Sequence, residues 1–256
     1  GFEVTFAVTD QNGCQNSSSG NEINGATFDV WRSGVALGNS CTSNNNNCYR
    51  NLTSCVQDGG SCTSSSDTDS TWTCTFALKY HADPTDTGSQ FATENWLATA
   101  LATDDNAQNS SRVDSGAGVE LNQFMAYNVQ QGAINYGSLA PNATSATDQV
   151  TTIEAQGNTG LNQNLSGVDM SDGSSHTIPV GQQHYSLISD FTYGTGDAAL
   201  TTSASLNNIL CSKTTTSGAN ATKNAYWKIR IPLNQYAASY TGTNTIVGVV
   251  SSSANW

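Results

Sequence analysis

Few residues in this chain have the chemistry of a catalyst, and their spacing decides what each can do. His81, His176 and His184 are its only imidazoles. No HExxH, HxH or GxSxG spacing joins them as metal ligands or as the base of a nucleophilic triad. Glycoside hydrolysis needs two opposed carboxyl groups, but the five glutamates, Glu3, Glu22, Glu94, Glu120 and Glu154, are scattered and none sits in an aromatic-rich cluster. The expectation is a protein that is not an enzyme.

Binding chemistry has more candidates. Asp83 and Asp86, with Asp104, Asp105 and the amide of Asn106, flank one expected hairpin. If its ends met, their oxygens would suit Ca²⁺, which takes 6 to 8 such ligands; turn capping is the plainer role for aspartates in loops. No other cofactor is implied. Trp31, Trp72, Trp96, Tyr226 and Trp227 have faces that stack on sugar rings, yet each falls in an alternating strand, one face of which must be core. Six N-x-Ser/Thr sequons, at Asn16, Asn51, Asn109, Asn142, Asn164 and Asn220, are glycosylation candidates. With a quarter of the residues hydroxyl-bearing and 27 asparagines, about seven sequons arise by chance, so their number is no enrichment.

The cysteines place the compartment. Cys14, Cys41, Cys48, Cys55, Cys62 and Cys74 crowd the first half without the paired short spacings of a zinc site. They are expected to form three disulfides. Sequence leaves 15 connectivities open; loop closure favours Cys41 with Cys48 and Cys55 with Cys62, leaving Cys14 with Cys74. Cys211 is left over, as a buried thiol or an intermolecular link.

Charge narrows the partners. Eight basic and 20 acidic residues give a net charge of −12, so no basic stripe offers itself to phosphates or anionic lipid. Nucleic acid is not an expected partner. No apolar run approaches the roughly 20 residues of a membrane span. No basic-then-apolar leader opens the numbered chain and no LPxTG motif closes it, so a mature secreted chain without covalent wall anchoring is expected. Only 11% of residues are charged, whereas there are 32 Ser, 32 Thr and 27 Asn, a composition that suits strands, turns and an extracellular surface.

The elements that must position these groups are strands. Phe2, Val4, Phe6 and Val8 alternate with polar or small residues from Gly1 to Thr9. Ala26 to Arg32, Thr71 to His81, Asn95 to Thr103 and Val113 to Phe124 follow, with Ser33 to Ser70 reading as a long stapled insertion. Glu94 to Leu101 is the one helix candidate and reads better as strand. From Phe124 the pattern restarts, with strands over Phe124 to Val129, Ile134 to Leu139, Gln149 to Ala155, Leu161 to Val168, His184 to Thr192, Ala225 to Pro232 and Thr243 to Ser251. Short strands at such spacing predict an all-β protein of two tandem immunoglobulin-like sandwiches, over 1–123 and 124–256.

Several runs resemble a known family. INYGSLAPN from Ile134 to Asn142, QGNTGLN from Gln156 to Asn162 and YWKIRIPLNQYAASYTGTNTI from Tyr226 to Ile246 resemble a secreted sandwich module of surface proteins from ultrasmall candidate-phyla bacteria. CTFALKYHADPTDTG from Cys74 to Gly88 and ENWLATALATDDN from Glu94 to Asn106 resemble the immunoglobulin-like module preceding it. The resemblance implies a secreted cell-surface location and no catalytic role.

The strand from Gly1 to Thr9 carries the functional expectation. No loop leads into it, and such a strand can complete the open edge of an identical subunit; repeated head to tail, the contact builds a homopolymer. A structural subunit of a surface filament or envelope layer is therefore expected, with Gly1, Phe2, Val4, Phe6 and Val8 as its polymerisation strand. The alternative is an adhesin that binds a glycan or host-cell ligand, and a third reading is an accessory module of an enzyme.

Overall fold

A computed structural model describes residues 2–15, 22–252 and 256. Among these residues there is no α-helix, only two three-residue 3₁₀ turns, at Gly38–Ser40 and Val180–Gln182. The rest of the ordered backbone is strand and connection. The chain divides into two compact units, Gly1–Gln123 and Phe124–Trp256.

In the first unit the strands are β1 (Phe2–Thr9), β2 (Ile23–Arg32), β3 (Cys48–Leu52), β4 (Cys55–Gln57), β5 (Asp69–Phe76), β6 (Trp96–Asp104) and β7 (Val113–Asp114). They form two antiparallel sheets, ordered β1-β5-β4 and β3-β2-β6-β7. Alternation turns Val4 and Phe6 of β1 and Cys74 and Phe76 of β5 toward Phe28 and Val30 of β2, giving one shared core. The result is sandwich-like. Strand β6 covers the segment with helix-like spacing, because Trp96 and Ala98 join this core while β2 pairs along the whole strand.

The expected insertion between Ser33 and Ser70 is not simply loop, since it supplies β3 and β4. It also covers the second face of β2, where Trp31 packs with the Cys41–Cys48 bridge, Val35 and Leu97. Beside Trp31, Asp29 is buried and paired with Arg50 and Arg112, and it accepts the Asn51 N–H at 2.7 Å. Of the expected strand from Val113 to Phe124, only Val113 and Asp114 form a ladder, and Val119 adds an isolated bridge to Trp96. Glycine at 116 and 118 interrupts the pattern, and Gly118 lies so close to the Trp96 carbonyl and Asn95 that no Cβ would fit.

The second unit contains β8 (Tyr127–Val129), β9 (Gln149–Ala155), β10 (Leu161–Gly167), β11 (Met170–Ser171), β12 (Thr177–Ile178), β13 (Gln183–Ser186), β14 (Ala198–Ala199), β15 (Ser205–Cys211), β16 (Thr222–Ile229) and β17 (Asn244–Val250). Sheets ordered β14-β13-β16-β9-β8 and β15-β10-β17 share two cores, one around Ile153, Leu161 and Ile209, the other around Leu165, Leu200 and Trp227. Trp227 is fully buried, and its indole N–H finds the Thr151 hydroxyl at 2.8 Å. Ile134 to Leu139, expected as strand, enters no ladder; Ile134 and Tyr136 serve as side-chain packing against the second core instead. β15 was not expected, because its apolar residues are interrupted by the buried Asn207.

Lys228, on the face of β16 opposite Trp227, is buried. It bonds the Phe191 carbonyl at 2.6 Å and faces Asp148 at 3.4 Å. The aliphatic stem is buried while the ammonium is satisfied by these two oxygens.

Candidate functional site

The N-terminal strand stands at an edge. β1 pairs with β5 in unbroken register from Phe2↔Phe76 to Thr9↔Asp69, and among the described residues its other side has no strand partner. Its backbone groups on that side are open to another chain. No side chain between Phe2 and Thr9 is buried, and Phe2 is 43% exposed with its ring 5.8 Å from that of Phe76. Gly1, the first residue expected to take part, lies outside the described residues.

A groove runs beside this edge. Its far wall is β6, which presents Ala98, Ala100 and Ala102 opposite Val30, Phe28 and Ala26 of β2. The alanines leave a volume of about 400 Å³ along Val4 to Thr9, closed at its rim by Val113 and Asp114. A further 170 Å³ continues at the Phe2 end, against Phe76, Leu78 and Trp96. Val113 and Val119 on the rim are 70% and 62% exposed. The signal was present in the run ATALA, whose every second residue is alanine on a core-facing strand. Its meaning depends on the absence of a strand next to β1, which local sequence does not encode.

The disulfides are Cys14–Cys62, Cys41–Cys48 and Cys55–Cys74. Only the Cys41–Cys48 link matches the pairing favoured by loop closure; Cys55 is taken by Cys74 and Cys14 by Cys62. Strand register overrides chain proximity here, because Cys55 and Cys74 are directly opposed on β4 and β5. Cys211 is a buried free thiol whose pKa burial pushes up to about 11.

The aspartates expected to meet around calcium are held apart. Asp83 accepts from Arg32 Nε and Asn46 Nδ2, each at 2.9 Å, and its carbonyl accepts the Trp96 indole N–H. That is one end of β6; Asp104 is the other, roughly 25 Å away at the rise of a strand. Asp104 caps its own turn through the Gln108 N–H, Asp105 bonds the Asn106 amide, and the backbone of Asp86 closes a turn with Ser89. Among the described residues no group of three or more His, Cys, Asp or Glu is placed to hold a metal ion.

Trp31, Trp72, Trp96 and Trp227, whose faces could have stacked on a sugar, are core residues no more than 5% exposed, and Tyr226 is half-buried. Stacking on an exposed ligand is closed to these indoles. Of the sequons, Asn51, Asn109 and Asn142 are exposed. Asn164 lies in the central strand β10 between Leu206 and Val247, and Asn220 gives its amide to Glu154 at 2.5 Å. Asn16 lies outside the described residues.

Two histidines are anchored by carboxylates. His184 Nδ1 is 2.7 Å from Asp197 and stacks on Tyr193; His176 Nδ1 is 2.6 Å from Asp172 and stacks on Tyr236 with centroids 4.4 Å apart. Neither imidazole is hydrogen-bonded to a hydroxyl or thiol among the described residues. The His176 hydrogen bond, with the Ser174 N–H behind it, holds the Asp172 carboxyl below its usual range. Tyr236, 62% exposed, borders a groove of about 480 Å³ with Tyr136, Tyr240 and Met170. Sequence reading missed this aromatic site, although Asp172 and His176 stand one turn apart in a Gly/Ser loop.

Three disulfides, and the absence of any helix long and apolar enough to cross a membrane among the described residues, fit a secreted or extracellular protein. No family model matches the chain, and no curated protein matches its sequence.

Proposed function

We propose that this protein is a structural subunit of an extracellular surface filament or envelope layer, built from two immunoglobulin-like sandwiches and without catalytic activity. Copies join through β1, by exchange of the strand or by pairing at its edge. One observation carries the reading: an eight-residue strand with an open side runs along a groove floored by alanines. An unprotected edge of this length is a template for a further strand, and alanines leave room for its side chains. The test is electron microscopy of the secreted protein, with the fraction identified by mass. Regular filaments or sheets are expected; dispersed particles of one chain at all concentrations would refute assembly.

A second reading, a glycan-binding surface, rests on Tyr236. Its exposed ring is held flat on His176 beside an open groove, the arrangement in which an aromatic face stacks on a sugar. Glycan-array binding that is lost on Tyr236→Ala, by a chain that stays monomeric, would favour this reading over the first.

A further inference from the structure

We propose that the free edge of β17 in one copy pairs with the free edge of β1 in the next, joining copies head to tail while β1 stays paired with its own β5. This rests on the subunit reading above and specifies its contact.

Proteins blunt sheet edges with short strands, bulges, lysine or proline. Among the described residues nearly every edge is blunted in one of these ways. β7, β11, β12 and β14 are two residues long, β8 is three, and β4 is three and pinned by Cys55–Cys74. β3 carries Arg50, slips register against β2 and has Asn51 at φ 56°. β15 is long but bulged against β10, with Leu210 at φ 53°. β1 and β17 remain. They have eight and seven residues, each in unbroken register with a single neighbour, and neither holds a proline or a basic residue.

Charge is compatible with the same pair. At a net charge of −12 the copies repel one another, so a stable contact must lie where acidic groups are sparse. β17 has no ionisable side chain and β1 has only Glu3. Shape agrees: Val247 is 43% exposed on the face of β17 turned away from its own core. A continuous sheet ordered β4-β5-β1-β17-β10-β15 can turn this valine over the alanine floor beside β1.

The two edges differ, so the contact is heterologous and each added copy presents a fresh edge; such a contact that does not close gives an open filament. Addition leaves Val4 and Phe6 packed on the Phe28 core of their own copy, so no strand has to leave its sheet for copies to join.

Two variants test this. Thr5→Lys with Ala7→Lys charges β1, and Thr245→Lys with Val247→Lys charges β17; all four side chains are exposed, so both variants are expected to keep the wild-type circular dichroism spectrum. Light scattering on wild type is expected to show assemblies far above the chain mass of 26.8 kDa. Each variant alone is expected to be monomeric, and their equimolar mixture to give a dimer and nothing larger, since one complementary pair of edges survives. If the β17 variant dimerises alone, β1 pairs with β1 and the head-to-tail contact is wrong. Assembly of either variant to wild-type size would overturn the contact but leave the subunit reading standing. Wild type that is monomeric at every concentration would overturn both.

Discussion

Cys55 and Cys74 face each other across β4 and β5 with Cα atoms 3.9 Å apart, although Cys62 is nearer to Cys55 along the chain. The bridge ties the short outer strand of the first sheet to its centre, and β1 pairs on the other side of that centre. The open edge of β1 therefore belongs to a covalently braced sheet.

Loop length orders the worth of the three bridges. On the chain-entropy estimate, removing Cys41–Cys48, Cys55–Cys74 or Cys14–Cys62 costs about 2, 3 and 4 kcal/mol, for separations of 7, 19 and 48 residues. Paired serine variants followed by denaturant unfolding should rank in that order. Non-reducing peptide mapping that recovers a Cys55–Cys62 peptide would show the connectivity to be wrong.

Asp29 is 1% exposed between Arg50 and Arg112. Asp29→Ala leaves two guanidinium groups without their partner and is expected to destabilise the first unit by about 3 kcal/mol, the low end for a broken buried pair, because both arginines reach solvent. A loss under 1 kcal/mol, on the order of an exposed pair, would mean that water replaces the carboxylate.

Cys211 should be silent in the folded protein. Its thiol pKa is raised to about 11 by burial, against an ordinary value of 9.0. A raised pKa means that the fold prefers the protonated thiol, so this contribution is complete below pH 9 and is lost as pH rises toward 11. Thiol reagents at pH 8 are expected to label one cysteine only after denaturant is added; rapid labelling of native protein would contradict the buried placement.

Asp172 titrates in the opposite sense. Its hydrogen bond from His176 depresses its pKa, so the bond is complete above the ordinary aspartate value near 4 and is lost as pH falls below it. Acidification below about pH 4 is expected to move the Tyr236 ring resonances as the carboxylate that orients His176 is protonated; resonances unchanged on Asp172→Asn would show that the carboxylate does not hold the stack.

The proposed assembly is expected to respond to salt. Copies carrying −12 repel at low ionic strength, and a Debye length near 8 Å at 0.15 M screens that repulsion. Association through these edges, whose one charged side chain is Glu3, is expected to strengthen between 0.01 and 0.15 M salt, as read by light scattering; dissociation over that range would indicate an ionic contact.

The strands that sequence displayed most clearly are those with one core face. β1, β9 and β10 show alternation or apolar content within a few residues, and the structure places them within one residue of their expected bounds. β15 and Ile134 to Leu139 were misread for a common reason. A buried asparagine can belong to a strand when its backbone is laddered to a neighbour, as Asn207 is opposite Gln163, and an apolar segment can pack without a ladder; both depend on distant partners.

The candidate site divides the same way. Composition and six crowded cysteines were enough to determine an all-β, disulfide-bonded chain, because strand periodicity and thiol chemistry are local properties. The alanines of β6 and the apolar face of β1 were equally visible as residue types. Only the tertiary structure decided that they border one groove, that Cys55 meets Cys74, that the tryptophans are core and that Asp83 and Asp104 lie at opposite ends of β6. Those facts follow from which strands become neighbours, a choice made by burial and register across the whole unit.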